Sequence, residues 1–203
     1  MERMITQLMN ERKATRQFDP NFHLAEEEVH ELIEMATTSP SSSNLQPWRF
    51  IVVRDEDVRK QLRPLALNQA QIEEASAIVV IVADTRMHER VEQINRMNET
   101  SGYMTKEQAD RKIERDYETY EGKSDIERFK IAMFDAGLIT MSLTLAATAK
   151  GIDSGIMGGF DPEGVASLFE LDEHLVPAIL VALGKRREEP QQTTRLPLQD
   201  ILL

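Results

Sequence analysis

Three cations lie within five residues near the start of the sequence, at Arg12, Lys13 and Arg16. The chain of 203 residues is otherwise acidic, with a formal net charge of -11 at pH 7. Arginine forks and lysine point charges suit phosphate oxygens. The run therefore has two interpretations: a solvated cluster of charges, which is the commoner use of such a segment, or a cradle for a phosphate group.

A second run, between Ser39 and Phe50, is rich in short polar side chains. Five of the seven residues 41–47 carry a hydroxyl or an amide, and Pro40 and Pro47 enclose the run. This composition is common in an ordinary turn between a helix and a strand. A loop stiffened by two prolines can also present several donors and acceptors to a flat polar ligand.

Other chemistries find little support in the sequence. The chain has no cysteine, which removes disulfides, thiolate nucleophiles and thiolate metal sites. It contains neither of the two familiar glycine-rich phosphate loops nor the G-x-S-x-G elbow of serine hydrolases. Its four histidines do not have the spacing of metal ligands, so we expect no metal site.

The charge balance also limits the partners. An acidic chain with a pI near 4.9 disfavours nucleic acid, because phosphate backbones are bound by basic surfaces. The longest uncharged stretch outside the loops, residues 136–149, is shorter than the ~20 residues that span a bilayer. Charged residues within positions 1–18 leave no apolar signal-peptide core. We therefore expect a cytoplasmic protein with no nucleic-acid or membrane partner.

The apolar pattern predicts helices alternating with strands in a single domain of residues 1–203. A continuous β-branched run at 77–83 predicts a strand buried on both faces. Ser124 and Glu127 have the form of a capping box ahead of a long apolar helix that ends at Gly151. The charged segment 86–123 predicts an exposed helical insertion, with a role as a lid left open. The remaining elements are a helix over 26–37, strands over 48–53, 152–157 and 178–183, and a helix over 162–169.

Together the two polar runs resemble the FMN-dependent nitroreductase family. That family opens with Arg-basic-Ser-x-Arg/Lys-x-Phe and later carries Pro-Ser-x-x-Asn-x-Gln-Pro-Trp-x-Phe. The matching residues in this sequence are Arg12, Lys13, Arg16 and Phe18, then Pro40, Ser41, Ser42, Asn44, Gln46, Pro47, Trp48 and Phe50. The similarity continues to the end of the chain and is weakest over 86–123. It implies an α+β fold, a nitroreductase-like three-layer α-β-α sandwich with a central mixed sheet flanked by helices, in an intertwined homodimer.

Carried over by position, the resemblance implies an FMN site built from both subunits. The phosphate and the polar edge of the ring would be held by Arg12, Lys13, Arg16 and Arg195. The partner subunit would supply a loop formed by Pro40, Ser41, Ser42, Asn44 and Gln46. The pyrimidine end would be approached by Asn68 and Gln71, and the ring would lie along Met157, Gly158 and Gly159, where glycines allow the main chain to come close to a planar ligand.

Two residues depart from the family pattern. Ala14 stands where the family has Ser, which removes a hydroxyl donor worth about 0.5–1.5 kcal/mol. Whether Thr15 replaces it is left open at this point. Thr193 stands where some members have Lys. Both changes imply an FMN site at these residues that binds less tightly than in relatives.

The implied activity is oxidoreduction with FMN as the cofactor and NADH or NADPH as the electron donor. Hydride would pass to flavin N5, and a small nitroaromatic, quinone or similar acceptor would then be reduced. Arg16 and Gln71 would stabilise negative charge at the pyrimidine edge, and no side chain is required as a catalytic acid or base. Two alternatives stay open: another reaction on the same fold, such as reductive dehalogenation or enal reduction, and a flavin-binding module without turnover.

The long helix predicted after Ser124 bears on the subunit arrangement. After Asp135 it is apolar around most of its girth, more than a single core-facing stripe requires, which predicts cover by a symmetric partner. The tail from Arg187 to Leu203 is expected to wrap the neighbour. Asp135 itself has two interpretations: an exposed or N–H-bonded residue at the helix rim, or a residue near the flavin at a subunit interface.

Overall fold

Four strands form one sheet in the computed structural model, which describes residues 2–203 and the side chains from residue 5 onward. The strands are β1 (Trp48–Val53), β2 (Ala77–Asp84), β3 (Asp153–Met157) and β4 (Leu175–Gly184). Their order is β1-β2-β4-β3, and each neighbouring pair is antiparallel. The expected mixed sheet is therefore wrong for the four strands, which are all antiparallel to their neighbours. The parallel pairing among the described residues is an isolated bridge between Ala14 and Ser154.

The helices cover both faces of this sheet. Among the described residues they are α1 (Glu2–Glu11), α2 (Glu26–Ala36), α3 (Glu56–Leu65), α4 (Gln71–Glu74), α5 (Val91–Thr100), α6 (Lys106–Glu121), α7 (Asp125–Ala149) and α8 (Pro162–Leu168). Helix α8 begins as its sequence indicates, because Asp161 accepts from the N–H of Gly164 and Pro162 occupies the first helical position.

Alternation of side chains along β2 gives the sheet two apolar faces. Val79 lies in one core with Leu32 of α2 and Ile139 of α7. The next residue, Val80, lies in the opposite core with Leu62 of α3. Every residue of β2 is buried. The expected strand buried on both faces and the three-layer α-β-α arrangement are therefore confirmed.

Helix α7 packs across one face of the sheet. Its first turn is fixed by the predicted capping box, in which Ser124 and Glu127 each bond the other's backbone N–H. Within residues 2–203 it is also the one helix whose length and composition alone would allow it to cross a membrane. Half of that apolar stretch is buried inside the molecule, and the helix packs against α2 and β2. Core packing therefore accounts for only part of its apolar composition, since Phe134 and Met141 of the same helix stay exposed.

The charged segment 86–123 is helical, as predicted, but is exposed on one side only. It consists of a 3-10 turn (Met87–Arg90) followed by α5 and α6, which pack against each other. Met87, Val91 and Tyr120 are buried in the core beside α7. The expectation of an exposed insertion is therefore wrong for this inner face. A lid function remains a prediction.

The C-terminal tail lies outside the layers. Residues 191–203 are exposed throughout. Leu196, Leu198, Ile201 and Leu202 are each more than half exposed. One chain by itself therefore leaves an apolar tail uncovered.

Candidate functional site

The cationic segment, residues 12–16, is fixed beside β3. The backbone N–H of Thr15 donates to the carbonyl oxygen of Ser154 at 2.9 Å, and Ala14 forms the parallel bridge to the same residue. Four residues after Thr15, the N–H of Asp19 donates to the carbonyl of Lys185, just after β4. These bonds hold the three cations at one edge of the sheet.

The cations of this segment have no ion-pair partner in the part of the chain whose side chains are described. No ion pair or hydrogen bond joins the side chains of Arg12, Lys13 or Arg16 to residues 5–203. Several other basic side chains are paired, as Arg49 is with Asp84. Unpaired guanidinium and ammonium groups at a fixed position suit an external anion such as a phosphate.

Thr15 does not replace the serine that is missing at Ala14. Ala14 and Arg16 are exposed, whereas Thr15 is only 1% exposed and faces the interior. Its hydroxyl oxygen is buried with no hydrogen-bond partner among the described residues. The segment therefore offers cations, but no hydroxyl of its own, on its exposed face.

Gly155 brings the cationic segment together with Gln71. A Cβ at Gly155 would overlap the carbonyl oxygen of Thr15 and would lie 3.2 Å from Oε1 of Gln71. Gln71 is 5% exposed, and this Oε1 atom has no hydrogen-bond partner in residues 5–203. Since leaving a buried polar group unpaired costs about 1–3 kcal/mol, an amide oxygen in this position is suited to a donor group of a ligand.

Two glycines follow β3, and the main chain is open at the first of them. A Cβ at Gly158 would meet nothing within 4 Å. The carbonyl of Gly159 accepts from Nε2 of Gln69 at 3.1 Å, which places the turn containing Asn68 beside these glycines. Asn68 adopts a left-handed conformation with φ of 58°. Met157 is buried in the core, so that only its backbone can line a ligand.

The predicted loop, residues 40–47, has an unusual backbone held by side chains. Ser43, Asn44 and Gln46 have φ of 52°, 61° and 50°, in the left-handed region that non-glycine residues disfavour. The N–H of Gln46 donates to Oγ of Ser41 at 3.0 Å. The side-chain amide of Gln46 donates back to Asn44. Ser41, Asn44 and Gln46 are therefore ordered relative to one another.

Helices α6 and α7 hold this loop, which the sequence alone does not indicate. Tyr120 of α6 donates its hydroxyl to Oγ of Ser43 at 2.9 Å, and Nζ of Lys112 donates to the Ser43 carbonyl at 3.2 Å. Asp135 of α7 accepts from both the N–H and the hydroxyl of Ser42. The only sequence signal for these contacts was an acidic residue in an apolar helix.

Asp135 is thus N–H-bonded, as one interpretation held, but it is not at an exposed rim. Its residue is 0% exposed. Burial raises the pKa of the Asp135 carboxyl above its ordinary value, and the two hydrogen bonds from Ser42 oppose that shift. The hydroxyl proton of Ser42 is committed to Asp135, so Ser42 can offer a ligand only lone pairs.

The predicted residues fall into two groups at opposite edges of the sheet. The loop 40–47 leads into β1, whereas the cationic segment, Gln71 and the glycines adjoin β3. Three strand spacings of ~4.8 Å place these edges about 14 Å apart. A cavity of about 660 Å³ adjoins Lys13, and another of about 310 Å³ adjoins Asn44 and Gln46. Neither cavity contains both groups.

Arg195 stands apart from both groups. Its guanidinium donates to the Thr193 hydroxyl and the Thr194 carbonyl, within its own exposed segment. No hydrogen bond or ion pair among residues 5–203 joins it to the cationic segment. Its predicted place at the phosphate stays a prediction.

Comparison with known proteins agrees with this architecture. Residues 9–185 match the model of the Nitroreductase family. A Bacillus subtilis (strain 168) protein with the provisional name NAD(P)H nitroreductase YdgI is 36% identical over 197 residues, covering 96% of this chain and 94% of that protein. The CLA biosynthesis enone reductase of Lactiplantibacillus plantarum is 33% identical, covering 94% of this chain and 89% of that enzyme.

A solved structure supports the same conclusion. A provisionally named nitroreductase from Exiguobacterium sibiricum 255-15, in complex with FMN, superposes with a TM-score of 0.93 at 32% identity. The likeness covers 97% of this chain and 95% of that one. The chain belongs to the Nitroreductase family, and its fold is the fold of that family.

Proposed function

We propose that the protein is an FMN-dependent NAD(P)H oxidoreductase that reduces a small acceptor such as a nitroaromatic or a quinone. One observation carries the proposal: a cationic segment without internal counter-charges is bonded to the strand that leads into Gly158 and Gly159. A phosphate group and a planar ring joined in one molecule would engage these two features together. FMN has both parts, and the relative solved with FMN gives independent support.

The residues of the chain divide the binding between them. Arg12, Lys13 and Arg16 would bind the phosphate through charge-assisted hydrogen bonds, with Arg195 adding a fourth cation from the tail. The unpaired amide oxygen of Gln71 would accept from an N–H of the pyrimidine ring. The exposed backbone at Gly158 would lie along the ring.

When bound, FMN would supply the redox chemistry, which is hydride transfer from NADH or NADPH and electron transfer to the acceptor. The protein's part is binding, orientation and electrostatics. Arg16 and the Gln71 amide group would stabilise negative charge at the polar edge of the ring, since fixed charges and dipoles act without reorganisation. No side chain is required as an acid or base.

A complete site would need two chains. In one chain the loop 40–47 and the cationic segment belong to opposite edges of the sheet. A symmetric homodimer would let the loop of one subunit complete the site of the other. The uncovered tail and the exposed side chains of Phe134 and Met141 on α7 support such an arrangement, because a partner would remove this apolar surface from water.

The test is anaerobic reduction of the FMN-loaded protein by NADH and by NADPH. Loss of the oxidised flavin absorbance, followed by its return on adding menadione or nitrofurazone, is the expected result. Flavin that is bound but reduced by neither nucleotide would contradict the proposal and favour a flavin-binding module without turnover.

An enone is a second candidate acceptor. The specific observation is the similarity in sequence to the enone reductase of L. plantarum and in structure to the enone reductase CLA-ER, with a TM-score of 0.87. Rates of reoxidation by an enone, a quinone and a nitroaromatic at equal concentration discriminate the two candidates. Fastest turnover with the enone would mean that the protein reduces a carbon–carbon double bond instead of a nitro group or a quinone.

A further inference from the structure

Asp135 is an ionisable residue in an apolar setting. It lies on α7 beside the buried residues Ala132 and Ala136 and is itself 0% exposed. No basic side chain within residues 5–203 forms an ion pair with it. Buried carboxylates are normally paired with a cation, because desolvation penalises the charge. Asp135 instead has a single partner residue.

That partner is Ser42, which bonds Asp135 through both of its donors. The Ser42 N–H lies 3.2 Å from Oδ1 and 3.0 Å from Oδ2, and the Ser42 hydroxyl lies 3.1 Å from Oδ1. The carboxylate therefore fixes the backbone and the side chain of Ser42 together. The contact spans 93 positions in sequence, so it ties the loop to the core helix.

The backbone that follows Ser42 needs such an anchor. Ser43, Asn44 and Gln46 all have positive φ, a conformation that L-residues disfavour when nothing holds them. The side chains of Asn44 and Gln46 form part of the surface predicted to face the cofactor. Without an anchor at its start, this loop would sample ordinary negative-φ conformations in which Asn44 and Gln46 point elsewhere.

Helix α6 secures the next residue in the same way. The Tyr120 hydroxyl and the Lys112 ammonium bond the side chain and the carbonyl of Ser43. Lys112 is in turn held by the buried carboxylate of Asp116. The loop is thus held by hydrogen bonds at two consecutive residues, Ser42 and Ser43. The bonds to Ser42 come from Asp135 on the core helix α7.

We propose that Asp135 is a positioning residue for the cofactor: by bonding both donors of Ser42, it presets the loop that presents Ser41, Asn44 and Gln46 to FMN. This inference rests on the proposed function. It assigns Asp135 no contact with the flavin and no proton transfer. Its effect on FMN passes entirely through Ser42.

The two donors of Ser42 allow a rescue test. Asn at position 135 can accept from the Ser42 N–H through its oxygen and donate to the Ser42 hydroxyl through its nitrogen. Leu has similar volume and can do neither. Asp135→Asn should therefore keep the loop in place, whereas Asp135→Leu should release it. A role that depended on the negative charge would make the two variants alike.

The experiment is titration of each flavin-free variant with FMN at a temperature well below unfolding. Quenching of flavin fluorescence measures the binding. We expect Asp135→Leu to weaken FMN binding about tenfold or more, since it leaves both donors of Ser42 without an acceptor. Asp135→Asn should stay within about threefold of wild type. Ser42→Ala should weaken binding in the wild-type background and have no further effect in Asp135→Leu.

Thr140→Val is the matched control. Thr140 is buried on the same helix, 3% exposed, but its hydroxyl bonds the Ala136 carbonyl within that helix. Its removal perturbs the core of α7 without touching the loop, so FMN affinity should be unchanged. Weakening equal to that of Asp135→Leu would mean a general effect of core damage and would overturn the proposal.

The remaining outcomes also decide the matter. Wild-type affinity in Asp135→Leu, or equal losses in Asp135→Asn and Asp135→Leu, would overturn the positioning role while leaving the FMN assignment intact. Should Asp135→Leu fail to fold, Asp135→Ala takes its place, since Ala likewise cannot bond Ser42: unchanged FMN affinity overturns the role, and a loss of about threefold or more supports it. Wild-type protein that binds no FMN would instead overturn the proposed function, and this inference with it.

Discussion

The carbonyl oxygen of Thr15 fills the space where a Cβ on Gly155 would lie. This close approach exists because the Thr15 N–H donates to the carbonyl of Ser154, which draws the cationic segment against β3. A glycine is needed here for space and not for backbone freedom, since Gly155 does not have a positive φ. The position of the three cations therefore depends on the residue at 155.

Gly155→Ala should separate the cationic segment from β3 and destabilise the protein. The added methyl meets a backbone atom that cannot rotate away, so we expect a loss of about 1–3 kcal/mol, in the range for overpacking. Thermal and urea unfolding of the flavin-free protein measure it. Gly158→Ala is the control, because its Cβ meets nothing within 4 Å. Equal stability of the two variants would contradict this packing account.

Arg12→Ala should weaken FMN binding about tenfold or more, the effect of losing a charge-assisted hydrogen bond worth about 1.5–3 kcal/mol. Arg111→Ala is the matched control, since Arg111 is an exposed arginine on α6. Arg49 is unsuitable as a control because it donates to the Gln46 carbonyl and so holds the loop. Isothermal titration with FMN gives the affinities. Equal affinity in Arg12→Ala and Arg111→Ala would show that the phosphate site is misplaced.

Much of the fold follows from local sequence. The run 77–83 has no polar residue to turn outward, so it can only be a strand between two helical layers. Ser124 and Glu127 mark the start of α7 because their capping bonds are made within four residues. β4 begins three residues before its prediction, since Leu175 and Val176 pair with Asp84 and Ala83 of β2.

The arrangement of the site could not be predicted in the same way. Asp135 meets Ser42 across 93 positions, and no local pattern encodes such a contact. The position of Arg195 depends on a tail that makes few contacts with its own chain. Which residues share an edge of the sheet follows from strand order, a property of the whole chain. Motifs identify the residues of this site, and the tertiary fold decides which of them meet.

Asp135 should make stability depend on pH in a definite direction. Burial raises its pKa in the folded state above the ordinary value of 3.8, so the unfolded chain loses this proton first as pH rises. Below pH 3.8 the Asp135 carboxyl is protonated in both the folded and the unfolded state, so burying it costs no stability through its charge. The free energy of unfolding of wild type, relative to Asp135→Asn, should therefore fall as pH rises from about 4 through the raised pKa, and then level off. A constant or rising difference would contradict the sign of the shift.

Subunit exchange tests whether each site is shared between chains. Arg16→Glu and Asn44→Asp should each be inactive alone, because each damages every site. After unfolding and joint refolding, half of the dimers are mixed, and in these one pocket carries both lesions and the other is intact. Activity should return to about a quarter of wild type.

A site confined to one chain predicts a different result for the same mixture. Every pocket would then keep one lesion, and no activity would reappear on refolding. Refolding each variant separately and mixing afterwards is the control, since native dimers exchange slowly when they are intertwined. A monomer by sedimentation would also contradict the shared site.

The identity of the flavin tests the central claim most directly. The protein is saturated with a mixture of FMN and FAD, freed of unbound flavin, denatured by heat, and the released cofactor is separated against standards. We expect FMN, at about one per chain, because the cationic segment suits a terminal phosphate and the sequence has no dinucleotide fingerprint. Release of FAD, or of no flavin at all, would contradict it.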